Sequence, residues 1–190
     1  MINANRTNRP YWKFIRGVSL IGVGALSLAA TAAAADDEED VSEPLSALGV
    51  EWGLELYDRD AADRCILGYH QIRVTVNNIT QEGILKLELF GEQDFMKRSG
   101  KIRRIRVPAE NGPMRVCFHV PGPGEYAVVG YHDKDGDRKF DKKWNFTPKE
   151  PYGLSNNPEI KSLRLPKWEE TRFDVPSEGR DIVINLVDLG

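Results

Sequence analysis

Asp133, Asp135, Asp137 and Asp141, in the stretch GEYAVVGYHDKDGDRKFD (124–141), form the densest set of oxygen donors in the chain. Carboxylates at alternate positions suit a hard divalent cation. Calcium loops draw side-chain oxygens from their first, third and fifth residues, and often a water-mediated ligand from the ninth. Asp141 falls at that ninth position. The sixth residue is Arg138 and the twelfth is Trp144, where an EF-hand needs glycine and a bidentate glutamate, so the helix-flanked version is excluded. What remains is a D-x-D-G-D-x-x-x-D loop in a hairpin setting, its charge offset by Lys134, Arg138, Lys139, Lys142 and Lys143. Calcium is the ion expected of it. The same residues also read as a polar turn tied by Asx hydrogen bonds around Gly136.

His132 adjoins the loop, and a nitrogen ligand would shift preference toward a transition metal. The three histidines, His70, His119 and His132, show no HxH or HExxH spacing, so zinc is not expected. An alternative reading is a hydrolase that pairs Glu150 with His132 or a loop carboxylate, since two carboxyl groups are the usual apparatus for glycoside hydrolysis. Nucleophilic catalysis lacks a G-x-S-x-G elbow. The run Lys101, Arg103, Arg104, Arg106 resembles an anion-binding stripe, but reads more simply as a solvated edge strand guarded by charge.

These residues need a scaffold, and the pattern around them is one of short alternating segments split by turn residues. Ile72, Val74 and Val76 share one face of a first strand; Leu85, Leu87 and Leu89 share one face of a second. Residues 101–107 place Ile102 out of phase with Ile105 and Val107, which predicts a bulge or an edge strand. In the next strand Val116, Phe118 and Val120 face one way, and Arg115, Cys117 and His119 the other. Residues 124–132 read as a strand buried on both faces. A long segment rich in Pro, Asn and Lys follows, with Trp144, Phe146, Tyr152 and Trp168 to pack it, before Ile182, Ile184 and Leu186 close the domain. About seven strands at this spacing predict an all-β, single antiparallel sandwich of immunoglobulin or transthyretin type, spanning 65–190 with one long irregular loop.

Ahead of that domain, Arg6, Arg9, Lys13 and Arg16 precede a short apolar run (17–28) and the small residues TAAAA (31–35). That is the pattern of a Sec-type signal peptide over 1–35, and the apolar run falls short of the roughly 20 residues a membrane span needs. An acidic, partly disordered leader is expected over 36–64, with DDEEDVSE (36–43) at its head. Pro44 to Arg64 could dock as a strand or short helix. Of 26 basic and 29 acidic residues, the signal holds four basic ones and no acid, so the 155 residues after it carry a net charge of −7. Such a surface exerts no general pull on nucleic acid. Two cysteines, Cys65 and Cys117, in an exported chain predict one disulfide. Since Cys117 points off the core face, Cys65 must reach it by wrapping over the outside of that sheet.

Beyond the loop, GEYAVVGYHDKDGDRKFD (124–141), TPKEPYGLSNN (147–157) and LPKWEETRFDV (165–175), with the weaker IRVTVNNI (72–79), resemble the uncharacterised bacterial family called domain of unknown function 2141. The chain keeps that pattern's Tyr126, Ala127, His132, Asp133, Asp141, Pro148, Glu150, Tyr152, Gly153, Ser155, Asn156 and Asn157, and departs from it at Pro151 and Phe146. The resemblance implies an exported β-sandwich, and ties the acidic loop to the Ser155-Asn156-Asn157 turn as one feature. The expectation is therefore a periplasmic or secreted, non-enzymatic binding or accessory module, without a stable membrane anchor once its signal is cleaved. Its metal ligands would be Asp133, Asp135, Asp137 and Asp141. Its ligand-binding residues would come from His132, Glu150, Tyr152, Ser155, Asn156 and Asn157. Carbohydrate or protein are the partners such aromatics and amides contact, and an envelope-assembly role is a further alternative.

Overall fold

The computed structural model describes residues 44–145, 147–159 and 164–189. The predicted signal (1–35) and the acidic head of the leader (36–43) lie outside the described residues, as does Phe146. Eight strands are found among those described: β1 Gln71–Asn77, β2 Ile84–Phe90, β3 Lys101–Pro108, β4 Met114–His119, β5 Gly124–Asp133, β6 Tyr152–Leu154, β7 Phe173–Val175 and β8 Arg180–Asn185. They form two sheets, one ordered β4-β1-β8 and one ordered β3-β2-β5-β6, with β7 also pairing β5. The expected all-β sandwich is present. Every strand pair is antiparallel except β1 with β8, which run parallel. Parallel neighbours require a long crossover, and here the five-stranded sheet supplies it, since all its strands lie between β1 and β8 in the chain.

The period-two pattern explains the core. Ile72, Val74 and Val76 of β1, Val116 and Phe118 of β4 and Ile184 of β8 close on Leu85, Leu87 and Leu89 of β2, Ile105 of β3 and Val128 of β5. β3 meets both expectations: it is the edge strand, and its register against β2 slips between Leu89 and Phe90. Its basic residues, however, are not a solvated fringe. Asp60, only 3% exposed, accepts from Arg104 Nη2 at 3.0 Å and Arg106 Nη1 at 3.0 Å, and Arg103 Nη2 bonds the Ala61 carbonyl and Asp63. Burial pushes the Asp60 carboxyl upward, but the two guanidiniums outweigh that and hold it below its usual range.

Those acids belong to the leader. Its residues 44–64 form helix α1 (Leu45–Trp52), a 3-10 turn at Asp58–Asp60 and extended chain laid along the sandwich. Leu45 and Leu56 pack on Ile84, which points off the main core. Gly49 allows the close return of the chain, because a Cβ there would lie 2.6 Å from the Leu54 carbonyl. Asp63 then makes an isolated bridge to Cys117, with its N–H 3.1 Å from the Cys117 carbonyl. Cys65 meets Cys117 with Cα atoms 5.4 Å apart. The leader does wrap the outer face of β4, as the parity of Cys117 requires.

Replacing Cys65 and Cys117 with serine is expected to cost about 4 kcal/mol, the chain-entropy value for a link spanning 52 residues. Denaturant unfolding of the serine variant beside the native protein measures it, and an unchanged midpoint would contradict the assignment.

Candidate functional site

β5 delivers the site. Its central position, paired to β2 along one side and to β6 and β7 along the other, buries both faces, so consecutive side chains are committed to opposite environments. Tyr126 and Val128 belong to the core. Tyr131 and Asp133 stand on the outer side. The turn before β2 closes directly on this end of β5: Gly83 takes φ +67, and a Cβ there would lie 1.9 Å from the Asp133 carbonyl.

Asp133, Asp135 and Asp137 are brought together, with one ligand oxygen of each within 4.8 Å of the others. Asp133 is 1% exposed. Its Oδ2 accepts the Arg138 N–H at 2.7 Å, while its Oδ1 is buried with no hydrogen-bond partner. Burial raises the Asp133 pKa; the Arg138 amide offsets part of this, and Asp135 and Asp137 add to the rise. Arg138 occupies the position where an EF-hand has glycine, yet it adopts φ +68 and makes the left-handed turn that the glycine serves. Its guanidinium turns to the leader, 2.8 Å from Glu55 Oε1 and 4.5 Å over the Tyr57 ring. Lys134 likewise turns to Asp188 at 3.3 Å. Two of the cations expected to neutralise the loop are thus drawn away from Asp133. The Asx turns are present as well: Asp135 Oδ1 accepts the Asp137 N–H, and Asp137 Oδ1 the Lys139 N–H.

Asp141 lies outside the group of three, with its Oδ2 3.3 Å from Lys149 Nζ. His132 is not brought to the loop. Strand alternation sends it to the opposite face, fully buried, where Nε2 donates to the Glu82 carbonyl at 2.6 Å. Glu150, also buried, accepts the Asp141 N–H on Oε2 at 3.2 Å. It caps the loop backbone, so the Glu150–His132 pair of the hydrolase reading is not assembled. Burial and the charges of Asp133, Asp135 and Asp141 push Glu150 up to about 7, against the opposing pull of the Asp141 amide.

The Ser155-Asn156-Asn157 turn ties backbone to backbone. Ser155 Oγ accepts the Val128 N–H at 3.0 Å and donates to the Thr171 carbonyl at 2.6 Å, and the Ser155 N–H returns to the Val128 carbonyl. Asn156 Nδ2 bonds the Arg172 carbonyl at 2.8 Å. Asn157 grips β8, donating to the Val183 carbonyl at 2.9 Å and accepting the Asn185 N–H at 2.7 Å. Tyr152 is bonded through its backbone to Val187 and stacks edge-on against Phe140, ring centres 6.2 Å apart. Sequence reasoning missed Glu55 and Tyr57 as partners of Arg138. The alternation of Leu54 and Leu56 with Glu55 and Tyr57 was the available signal.

Ser155→Ala should cost about 3 kcal/mol, because it leaves a buried amide and a buried carbonyl unpaired; thermal unfolding reads this, and a neutral result would mean the turn is not the tie described. Glu150 gives a pH test. Its folded pKa lies above its ordinary 4.5, so its stabilisation is complete below that value and is lost as pH rises through about 7. In chelator, Glu150→Gln is therefore expected to flatten the fall in stability between about pH 5 and about pH 8, measured by denaturant unfolding across that range.

Comparison with known proteins finds no significant match among curated proteins or solved structures. The family model described as "Uncharacterized protein conserved in bacteria (DUF2141)" matches residues 74–183, from within β1 to within β8. That span exceeds half of the 190 residues and includes the aspartate loop, Glu150 and the Ser-Asn-Asn turn. The chain belongs to this bacterial family, domain of unknown function 2141.

Proposed function

We propose that the protein is a periplasmic or secreted, non-enzymatic binding module whose 133–141 loop takes up calcium. One observation carries the reading: the buried Asp133 keeps Oδ1 without a hydrogen-bond partner beside Asp135 and Asp137. An unpaired carboxylate oxygen in such a place is costly, and a divalent cation converts that cost into coordination. All three donors are carboxylate oxygens, with His132 turned away, and an oxygen-only set favours a hard ion over zinc or copper. Glu150 lies close enough to feel the charges of Asp133 and Asp135, so a cation in the loop would favour its ionised form. The Cys65–Cys117 disulfide is the chemistry of an oxidising compartment, and no described helix is long and apolar enough to cross a membrane. The basic, then apolar, then small-residue order of residues 1–35 supports export.

Calorimetric titration of the purified protein with calcium tests the reading. Saturable heat is expected, with added stability of about 2.7 kcal/mol at a hundredfold excess over Kd. Asp133→Asn and Asp135→Ala should each weaken binding at least about tenfold, and Asp141→Asn much less. Absence of both heat and any melting shift in the native protein would remove calcium from the account.

A further inference from the structure

The outer face of the five-stranded sheet carries a groove of about 680 Å³, a size ordinary for small-molecule sites. Its floor consists of two cross-strand rows. Lys86, Tyr131 and Tyr152 form one, and Glu88, Val129 and Leu154 the other. These are the outward partners of the residues that build the core, and period-two geometry forces them onto one surface. Phe140, Lys142, Leu165 and Pro166 complete the lining. Phe140 lies 5.0 Å from Tyr131 and 6.2 Å from Tyr152, centre to centre, so three rings line one end.

Charge sets the ligand. The chain as a whole is acidic, with net charge −3, yet the groove is positive. Lys86 and Lys101 share the single carboxylate of Glu88, and Lys142 adds a further ammonium 5.8 Å from the Phe140 ring centre. Arg164, also on the lining, is occupied by Glu170. Lys86 stands 4.8 Å over the Tyr131 ring; burial lowers its pKa despite Glu88, so its ammonium lacks full solvation. Apart from these charges the lining offers mainly rings and aliphatic groups, with few of the amides that sugar hydroxyls require. We propose that this groove binds a small amphipathic anion, a flat aromatic body with one acidic head, the rings and Leu154 taking the body and Lys86 and Lys142 the head.

The inference does not rest on an ion in the loop, and titrations in chelator keep the two apart. The probes are 1-anilinonaphthalene-8-sulfonate and its uncharged analogue N-phenyl-1-naphthylamine, titrated calorimetrically into the purified protein. One equivalent of the sulfonate is expected to bind saturably, about tenfold more tightly than the neutral analogue. Lys142→Gln, at an exposed position, and Lys86→Gln should each weaken the sulfonate about fivefold and leave the analogue unchanged. Lys142→Gln keeps the test open if Lys86→Gln folds poorly, which thermal melts will reveal. Equal affinity for both probes, absence of saturation, or indifference to Lys142→Gln in a folded protein would each overturn the proposal.

Discussion

One hydroxyl holds the central strand to its neighbours. Along one side β5 is paired continuously to β2, but along the other it has only two three-residue partners, β7 at Gly124–Tyr126 and β6 at Val129–Tyr131. Between them the ladder would leave Val128 unpaired in the interior. Ser155 fills the gap, accepting the Val128 N–H on its hydroxyl oxygen, returning its own N–H to the Val128 carbonyl, and donating its O–H to the Thr171 carbonyl. Buried backbone groups without partners are rare because each costs as much as a lost hydrogen bond. A serine followed by two asparagines, Asn156 at φ +64 and Asn157 at φ +48, meets that demand at the junction of β5, β8 and the chain entering β7. The aspartate loop depends on it indirectly, since everything beyond Tyr131 hangs from a strand fixed in this way.

Two buried aspartates show how differently one fold can treat the same group. Asp60 is enclosed by two guanidiniums and stays ionised, its pKa held down. Asp133 has comparable burial, one amide donor and two acidic neighbours, and its pKa is driven up. The cations nearest to it in sequence, Lys134 and Arg138, pair instead with Asp188 and Glu55. Asp60 is a fastener whose charge is cancelled within the chain. Asp133 is a charge that the chain leaves uncancelled, and that difference separates a structural acid from a candidate ligand.

Much of the architecture was legible because most of the strands keep period-two alternation. Ile72, Val74 and Val76, then Leu85, Leu87 and Leu89, face the core as read, and the outward parity of Cys117 required the leader to wrap the sheet. The same rule, applied one residue further along β5, would have turned His132 away from Asp133. Adjacency in sequence suggests a partnership there that alternation forbids. Other features had no local signal. The acids that cover the basic edge strand lie some forty residues upstream, and a charge pattern does not say whether its complement is solvent or another part of the chain. The parallel pairing of β1 with β8 is set by the path of the whole five-stranded sheet. The amides of Asn156 and Asn157 looked suited to a ligand because an unspent hydrogen-bonding group and one spent on the backbone are identical in one dimension.

Asn157 has an effect beyond tidying a turn. β8 is the last strand of its sheet, and its outer backbone groups would otherwise stand open beside the exposed Val183. By donating to the Val183 carbonyl and accepting from the Asn185 amide, the side-chain amide imitates one residue of an additional strand. An edge capped in this way offers an incoming chain no continuous row of donors and acceptors to template on. A β-protein with an open sheet edge gains from such a guard, because its greatest hazard is fusion with the unfinished sheet of a neighbour. On β8 that protection falls to Asn157.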